Sequence, residues 1–193
     1  MKEIIGKVKL STNQLPKQLN YKNKLLSDKH EIAESFNDFF VSVGKNLASK
    51  IPNANRDFNS YLSRCEANLP SEDLTIDELQ IAFQSLLPNK SPGLDEINVN
   101  VVKSVYDVIE PLLFHIFSLS LDTGIFPDAL KIAKVTPVFK SGDSCEVGNY
   151  RPISVLSCFS KILERLMYNR LYNHLVNQNL LYKKQFGFQK KHS

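Results

Sequence analysis

Two cationic side chains stand at the ends of a polar loop, a placement in which both can reach one phosphate group. Lys140 closes a run over residues 131–139 that is rich in Val, Ile, Thr and Phe, and Arg151 belongs to a second such run, residues 150–156. An arginine guanidinium binds two phosphate oxygens at once, while a lysine ammonium acts as a compact point charge. Cations on an exposed hairpin also serve solubility and discourage edge pairing. Without further context, the residues favour solubility over phosphate binding.

Other basic residues cluster towards the end of the chain. Residues 131–193 hold 11 Lys and Arg against 3 Asp and Glu, a net charge of +8, whereas residues 1–130 hold 13 against 17, a net charge of −4. Such asymmetry indicates one surface for phosphates and another for protein or solvent. Basic residues that merely solubilise a helix explain the charge equally well. The candidates for nucleic-acid binding are Lys90, Lys134, Lys161 and Arg165, and Arg170 lies further along the same predicted helix.

Cysteine and histidine spacings give no metal site. The three cysteines, Cys65, Cys145 and Cys158, form no Cys-x-x-Cys pair, and no two of the four histidines are spaced to share a helical face. No stretch approaches the roughly 20 consecutive apolar residues of a membrane span, and the start lacks the pattern of a secretory signal. We therefore expect an intracellular protein, nuclear or cytoplasmic, without a membrane partner or a bound cofactor.

The elements that position these cations follow from apolar periodicity and capping signals. Asp28 with Glu31 predicts the start of an amphipathic helix that ends near residues 51–52, and Thr75 with Glu78 predicts a second helix that Pro88 stops. Two more helical patterns cover residues 99–109 and 111–121. Pro111 suits a first helical position and Gly124 a helix end. A long helix is predicted to begin near Ser157 or Ser160.

Residues 131–139 and 150–156 are predicted to pair as strands. Pro137 and Pro152 each lack an amide donor, which places these strands at an edge or a bulge. We expect a protruding hairpin with a long, mobile tip. The fold class is therefore α+β, mostly helical with a protruding antiparallel β-hairpin. The predicted segments are a mobile lead-in, a helical connector and a final domain, at residues 1–26, 27–73 and 74–193.

Three short motifs follow one another in a fixed order between residues 75 and 193. They are KSPGLDEI at 90–97, GIFP at 124–127 leading into KVTPVFK at 134–140 and GD at 142–143, and NYRPISVL at 149–156 with KILE at 161–164 and QFGF at 185–188. In this order and spacing they resemble the opening motifs of reverse transcriptases of the non-LTR retrotransposon family, which are LINE-type and jockey-like. The resemblance covers the second half of the chain and rests mainly on the third motif.

The resemblance implies an incomplete polymerase right-hand fold in which residues 74–193 are part of the fingers. Lys140 and Arg151 match the family's lysine and arginine that contact the triphosphate tail of the incoming nucleotide. This context reverses the preference for a solubility role. The loop of Lys90 would border the template strand, although Asp95 there could simply cap the next helix. The implied partners are an RNA template, a DNA primer and dNTP, and Mg²⁺ is implied for the full-length enzyme.

The catalytic carboxylates of such an enzyme are expected outside this chain. A two-metal polymerase needs converging carboxylates, which the family supplies from the palm, including an adjacent Asp-Asp pair. The sequence contains no Asp-Asp pair. We therefore expect a chain that stops before the palm and does not polymerise alone. Two alternatives remain, an inactive RNA-binding or protein-interaction module left from a decayed mobile element, and a helical domain without activity.

Overall fold

The computed structural model describes residues 16–52, 68–182 and 187. Contacts divide the chain into two compact units that interleave along the sequence. Unit 1 consists of Met1–Leu62 and Val135–Ser154, and unit 2 of Ser63–Lys134 and Val155–Ser193. The α+β class is confirmed, since helices and two small antiparallel hairpins make up the described part. The consecutive segments predicted from the sequence are a different division and stay a prediction.

The described part of unit 1 begins with a hairpin that the sequence analysis did not predict. Strands β1 (Leu19–Tyr21) and β2 (Lys24–Leu26) pair antiparallel with Leu19 opposite Leu26. The two turn residues, Lys22 and Asn23, both have positive φ, at 51° and 63°. This is the twist that a two-residue hairpin loop needs, although it is usually supplied by glycine.

Helix α1 (Lys29–Ala48) follows directly and starts where its cap predicts. The Asp28 carboxylate accepts hydrogen bonds from the backbone N–H groups of His30 and Glu31, at 2.9 and 3.0 Å. These bonds lower the pKa of Asp28, because they stabilise its ionised form. Ile32 and Phe36 on the inner face of α1 are buried with Leu19, Leu26 and Val147, and these five residues form the small core of unit 1.

The β3–β4 hairpin forms as predicted. Strand β3 (Ala133–Phe139) pairs with β4 (Tyr150–Leu156), and the Lys140 N–H donates to the Asn149 carbonyl at 2.8 Å. Such a bond joins two residues that lie opposite each other in an antiparallel pair. If this register continues along both strands, Pro137 lies opposite Pro152. That pair falls where the ladder makes no hydrogen bond, and the two prolines remove none.

The tip of this hairpin contacts α1 and β1 through Val147, while most of its other residues are exposed, and the protruding, mobile tip stays a prediction. Val147 is buried against α1 and β1, and the Asn20 N–H donates to the Cys145 carbonyl at 2.6 Å. The tip also holds itself, because the Asp143 carboxylate accepts from the Cys145 N–H at 2.8 Å and the Asp143 carbonyl accepts from Asn149 Nδ2 at 2.9 Å. The polar composition of residues 141–149 therefore builds a folded turn.

Unit 2 is built around four helices of the described part: α2 (Ile76–Gln84), α3 (Val99–Ser104), α4 (Tyr106–Thr123) and α5 (Cys158–Asn177). The capping box predicted for α2 is confirmed, with the Thr75 hydroxyl and the Glu78 side chain each accepting the other's backbone N–H. Its core joins residues from all four helices, which are buried together with Leu74: Leu79, Ala82, Phe83, Leu86, Val99, Val102, Tyr106, Leu113, Phe117, Cys158, Ile162, Leu163 and Leu166.

Helix boundaries depart from the sequence prediction at two places. Helix α4 begins at Tyr106, so Pro111 lies inside it, and the prediction that Pro111 starts a helix is wrong. The proline is tolerated because it stands just after the first turn, where only one backbone bond is lost. Helix α2 ends at Gln84, before the predicted stop at Pro88. Gly124 ends α4 in the left-handed conformation, as predicted.

The first motif anchors the start of α5. A Cβ on Gly93 would lie 2.6 Å from the Ser157 backbone nitrogen and 2.9 Å from the Leu156 carbonyl carbon, so only glycine fits there. The Ser157 hydroxyl donates to the Asp95 carboxylate at 2.5 Å and caps α5 by accepting from the Phe159 N–H at 3.3 Å. Asp95 therefore does not cap the helix that follows it, whose N-cap is Asn98.

Arg170 ties the middle of α5 to the start of α2. Its guanidinium donates to both Glu78 carboxylate oxygens, at 2.9 and 2.7 Å, and to the backbone carbonyls of Glu72 and Asp73, at 2.7 and 2.8 Å. The hydrogen bond from Arg170 holds the pKa of Glu78 below its usual value. This pair therefore stabilises the fold above the pKa of an unfolded glutamate, and its contribution is lost as the pH falls through the folded pKa.

No helix among residues 16–52 and 68–182 is long and apolar enough to cross a membrane.

Replacing Arg170 with alanine is expected to destabilise the chain by about 2–4 kcal/mol, because it leaves the partly buried Glu78 carboxylate and two carbonyls without their donor. Arg170→Lys keeps the charge but cannot make all four bonds, so most of the loss should remain. Urea unfolding followed by circular dichroism measures both. Glu164→Ala on the exposed surface of α5 is the control, expected within about 0.5 kcal/mol of wild type. A lysine variant as stable as wild type would contradict the geometric account.

Gly93→Ala is expected to destabilise the chain by about 1–3 kcal/mol, because the added Cβ meets backbone atoms that cannot rotate away. Gly44→Ala is the matched control. A Cβ at Gly44 has nothing within 4 Å and stands inside α1, so that variant should gain about 0.5–1 kcal/mol. The same unfolding measurement checks both. Equal stability of Gly93→Ala and wild type would show that the loop does not press against the Leu156–Ser157 backbone.

Candidate phosphate-binding hairpin

The β3–β4 hairpin has an aromatic face and a cationic face. The register fixed by the Lys140–Asn149 bond sets Phe139 opposite Tyr150, and their ring centroids are 5.4 Å apart. Side chains alternate between the two faces of a strand, and this alternation, continued one residue past the end of β3, sets Lys140 and Arg151 together on the other face. The register puts Arg151 across from Val138, so the two cations are diagonal neighbours. Diagonal neighbours in such a pair are roughly 7–8 Å apart.

The aromatic face is held by unit 1. Tyr150 packs its ring edge against Phe36 of α1 with centroids 4.9 Å apart, and its hydroxyl donates to the Ser144 carbonyl at 2.7 Å. Burial raises the pKa of Tyr150, as expected for a hydroxyl withdrawn from water. Tyr150 is therefore a packed strand residue whose ring is not free to stack on a base.

The cationic face is open. Lys140 and Arg151 are both exposed, and neither side chain has a hydrogen bond or an ion pair with any residue that the structure describes. In contrast, the described part of unit 1 pairs Lys22 with Asp38 at 3.5 Å and Lys24 with Glu31 at 3.4 Å. The two predicted phosphate contacts therefore have their donors directed to solvent.

The Gly142-Asp143 part of the second motif shapes the tip. Gly142 has φ 94°, and a Cβ there would lie 2.7 Å from Asn149 Nδ2, so glycine satisfies both the conformation and the close approach. Asp143 and Asn149 then close the turn through the bonds given above. These motif residues fix the geometry that places Lys140 beside Arg151, and their own polar atoms are used within the tip.

The four nucleic-acid-binding candidates all belong to unit 2. Lys90, Lys134 and Arg165 are exposed, and Lys161 is half-buried in the second turn of α5. The Asp95–Ser157 bond brings the loop that carries Lys90 against the start of the helix that carries Lys161. Arg165 lies over the Tyr168 ring at 5.4 Å, and Tyr168 stacks on Tyr172 with centroids 5.4 Å apart.

Arg170 is not available for phosphate, which corrects the sequence expectation. Among the described residues, its guanidinium bonds only to Glu78 and to two backbone carbonyls of the same unit. Helical spacing showed that Arg170 lies off the apolar stripe of α5, but it gave no sign of a partner 92 residues away. The apolar stripe itself is buried only at its beginning, since Met167, Leu171 and Val176 are about half exposed.

The described residues do not fit a catalytic metal. No three His, Cys, Asp or Glu side chains within residues 16–52 and 68–182 lie together as metal ligands. The described residues therefore offer no ligand set for the Mg²⁺ implied for the full-length family enzyme. The QFGF motif and the basic residues Lys183, Lys184, Lys190 and Lys191 lie outside the described residues, apart from Gly187.

Comparison with known proteins gives relatives of one kind. The chain is 34% identical over 139 residues to the RNA-directed DNA polymerase from mobile element jockey of Drosophila melanogaster, which covers 71% of this chain and 15% of that protein. It is 34% identical over 129 residues to a probable RNA-directed DNA polymerase from transposon BS of the same species, with 66% and 14% covered. No family model matches the chain.

A third relative extends the group. The putative 115 kDa protein in type-1 retrotransposable element R1DM of Drosophila melanogaster is 36% identical over 100 residues, 51% of this chain and 10% of that protein. The chain thus spans no more than about 15% of the length of these curated relatives. Within that span, the chain belongs to the LINE-type, jockey-like reverse transcriptases of non-LTR retrotransposons.

Proposed function

We propose that this chain supplies the incoming-nucleotide grip and part of the template surface of a retrotransposon RNA-directed DNA polymerase. In this proposal residues 74–193 are part of the fingers, residues 27–73 connect to them, and the catalytic aspartates lie elsewhere in the polymerase. The observation that carries it is the open cationic face of the β3–β4 hairpin. Lys140 and Arg151 share that face, and they match the family's positions for triphosphate contact.

The different bonding of Arg151 and Arg170 supports this assignment. Arg170 has its donors satisfied by Glu78 and carbonyls, so a phosphate would have to displace good partners. Arg151 has no such partner among the described residues, and phosphate binding would break no ion pair with them. A guanidinium and an ammonium together neutralise a triphosphate tail, with the guanidinium fixing its orientation through two parallel bonds.

The template contacts in this proposal are Lys90, Lys134, Lys161 and Arg165. Their common target by chemistry is the phosphate backbone of RNA, and such contacts position a strand without reading its sequence. Such contacts release counterions, so the affinity for RNA falls as salt concentration rises. The Tyr168 ring beside Arg165 adds an aromatic surface of the kind that single-strand grooves use for stacking. In this proposal, DNA primer contacts and catalysis depend on other parts of the polymerase.

Binding of dTTP to the 193-residue chain tests the grip. We expect Arg151→Ala and Lys140→Ala each to weaken binding about ten-fold or more, since each removes a hydrogen bond between charged groups. Arg151→Lys should recover only part of the loss, because lysine cannot bind two oxygens at once. Isothermal titration calorimetry measures the dissociation constants.

Lys45→Ala is the control for net charge, since Lys45 is exposed in the last turn of α1 in the same unit. It should leave the affinity for dTTP nearly unchanged. Absence of dTTP binding by the wild-type chain, or equal binding by the Lys140→Ala/Arg151→Ala double variant, would refute the proposed grip.

A further inference from the structure

We infer that the segment of residues 19–48, named here the upstream brace, positions the nucleotide grip without touching the nucleotide. The brace consists of β1, β2 and α1, and it lies before the motifs that match reverse transcriptases. The inference rests on the proposed function, because it concerns the same Lys140 and Arg151. It adds positioning residues, Asn20, Phe36 and Tyr150, that neither the motifs nor the relatives' names assign.

The brace holds the hairpin tip by backbone and side-chain contacts together. Asn20 donates its N–H to the Cys145 carbonyl at 2.6 Å and its side-chain amide to Glu146 Oε1 at 3.0 Å. This pairing is a single parallel bridge between Asn20 and Glu146. The brace therefore bonds to the tip through one isolated bridge, at the point where the chain turns back towards Arg151.

Apolar contacts secure the same region. Val147 inserts among Leu19, Leu26 and Ile32, which are all buried. Phe36 holds the Tyr150 ring at 4.9 Å, and Phe36 also stacks on Phe40 at 5.6 Å. The brace thus contacts the tip at three places, which are residues 145–146, residue 147 and residue 150.

These contacts are close in sequence to the proposed phosphate ligands. Arg151 follows Tyr150 directly, and the Lys140 backbone is bonded to Asn149. A displacement of residues 149–150 therefore moves both cations. The brace grips the aromatic face of the hairpin, so it leaves the cationic face open to a ligand.

A two-stranded ribbon is at best marginally stable in water, so this hairpin needs a cover to keep one geometry. With the brace in place, the separation of Lys140 and Arg151 is set before a ligand arrives. Without it, binding a triphosphate must also order the tip, which lowers affinity. The brace is therefore a preorganising element of the nucleotide grip.

Two brace variants test this inference with paired readouts on the full 193-residue chain. Phe36→Leu loosens the contact with Tyr150, and Asn20→Ala removes the bond to Glu146 without changing the core. The first readout is the dissociation constant for dTTP. The second is amide hydrogen exchange of residues 140–150, which reports how firmly the tip is held.

We expect Phe36→Leu to weaken dTTP binding about five-fold and Asn20→Ala about two-fold, with faster exchange at the tip in both. Arg151→Ala should weaken binding while leaving tip exchange as in wild type, because it removes a ligand and not a support. Val41→Ala is the matched control, since Val41 is on the same helix and 84% exposed. It should change neither readout.

The outcomes separate the inference from the function it rests on. A wild-type chain that does not bind dTTP refutes the proposed grip, and the inference with it. If wild type binds and both brace variants bind equally well despite faster tip exchange, the inference alone is overturned. Unchanged tip exchange in both variants overturns it too, because the brace would then not hold the tip.

Discussion

The pairing of Lys140 with Asn149 is the constraint on which the account of unit 1 depends. It sets the register of the β3–β4 hairpin, and the register decides which side chains share a face. A slip by one residue would turn Arg151 towards the aromatic cluster and Tyr150 towards solvent. The glycine at residue 142 and the bonds of Asp143 fix this register from within the tip. The brace fixes it from outside through Asn20 and Phe36.

In unit 2 the long helix α5 buries its apolar stripe only in its first half. Polar contacts therefore help to hold it in place. Helix α5 is tied at its start by Ser157, bonded to Asp95, and in its middle by Arg170, bonded to Glu78. Asp95 belongs to the KSPGLDEI motif, and Glu78 belongs to α2, which precedes that motif. The motif thus has a structural explanation at Gly93 and Asp95, whereas Lys90 stays exposed and keeps its proposed role at the template.

Local signals predicted much of this fold. The N-caps at Asp28, Thr75 and Ser157 and the helix end at Gly124 depend on atoms within a few residues of each, so the sequence carries them directly. The strands were also predicted, because branched and aromatic residues cluster there. The start of α4 was predicted wrongly because proline prefers the first position of a helix. Pro111 instead lies just after the first turn, where a helix also tolerates it.

Long-range partners could not be predicted in this way. Arg170 and Glu78 are 92 residues apart, and Asn20 and Glu146 are 126 apart, with no periodicity linking them. The contact of the hairpin tip with α1 and β1 could not be predicted for the same reason, because those elements belong to a distant segment. The order of the motifs identified Lys140 and Arg151 as candidates. That the two side chains share an exposed face follows only from the register of the hairpin in the structure.

The central claim is that Lys140 and Arg151 form one phosphate-binding face of this hairpin, while Tyr150 on the other face packs against α1. Nuclear magnetic resonance of the ¹⁵N-labelled chain, titrated with inorganic tripolyphosphate, tests it most directly. The account predicts shift changes concentrated at the amides of residues 138–140 and 151 and at the Arg151 side-chain Nε, with little change in α1. Shift changes confined to α5, or spread evenly over all lysines, would contradict it.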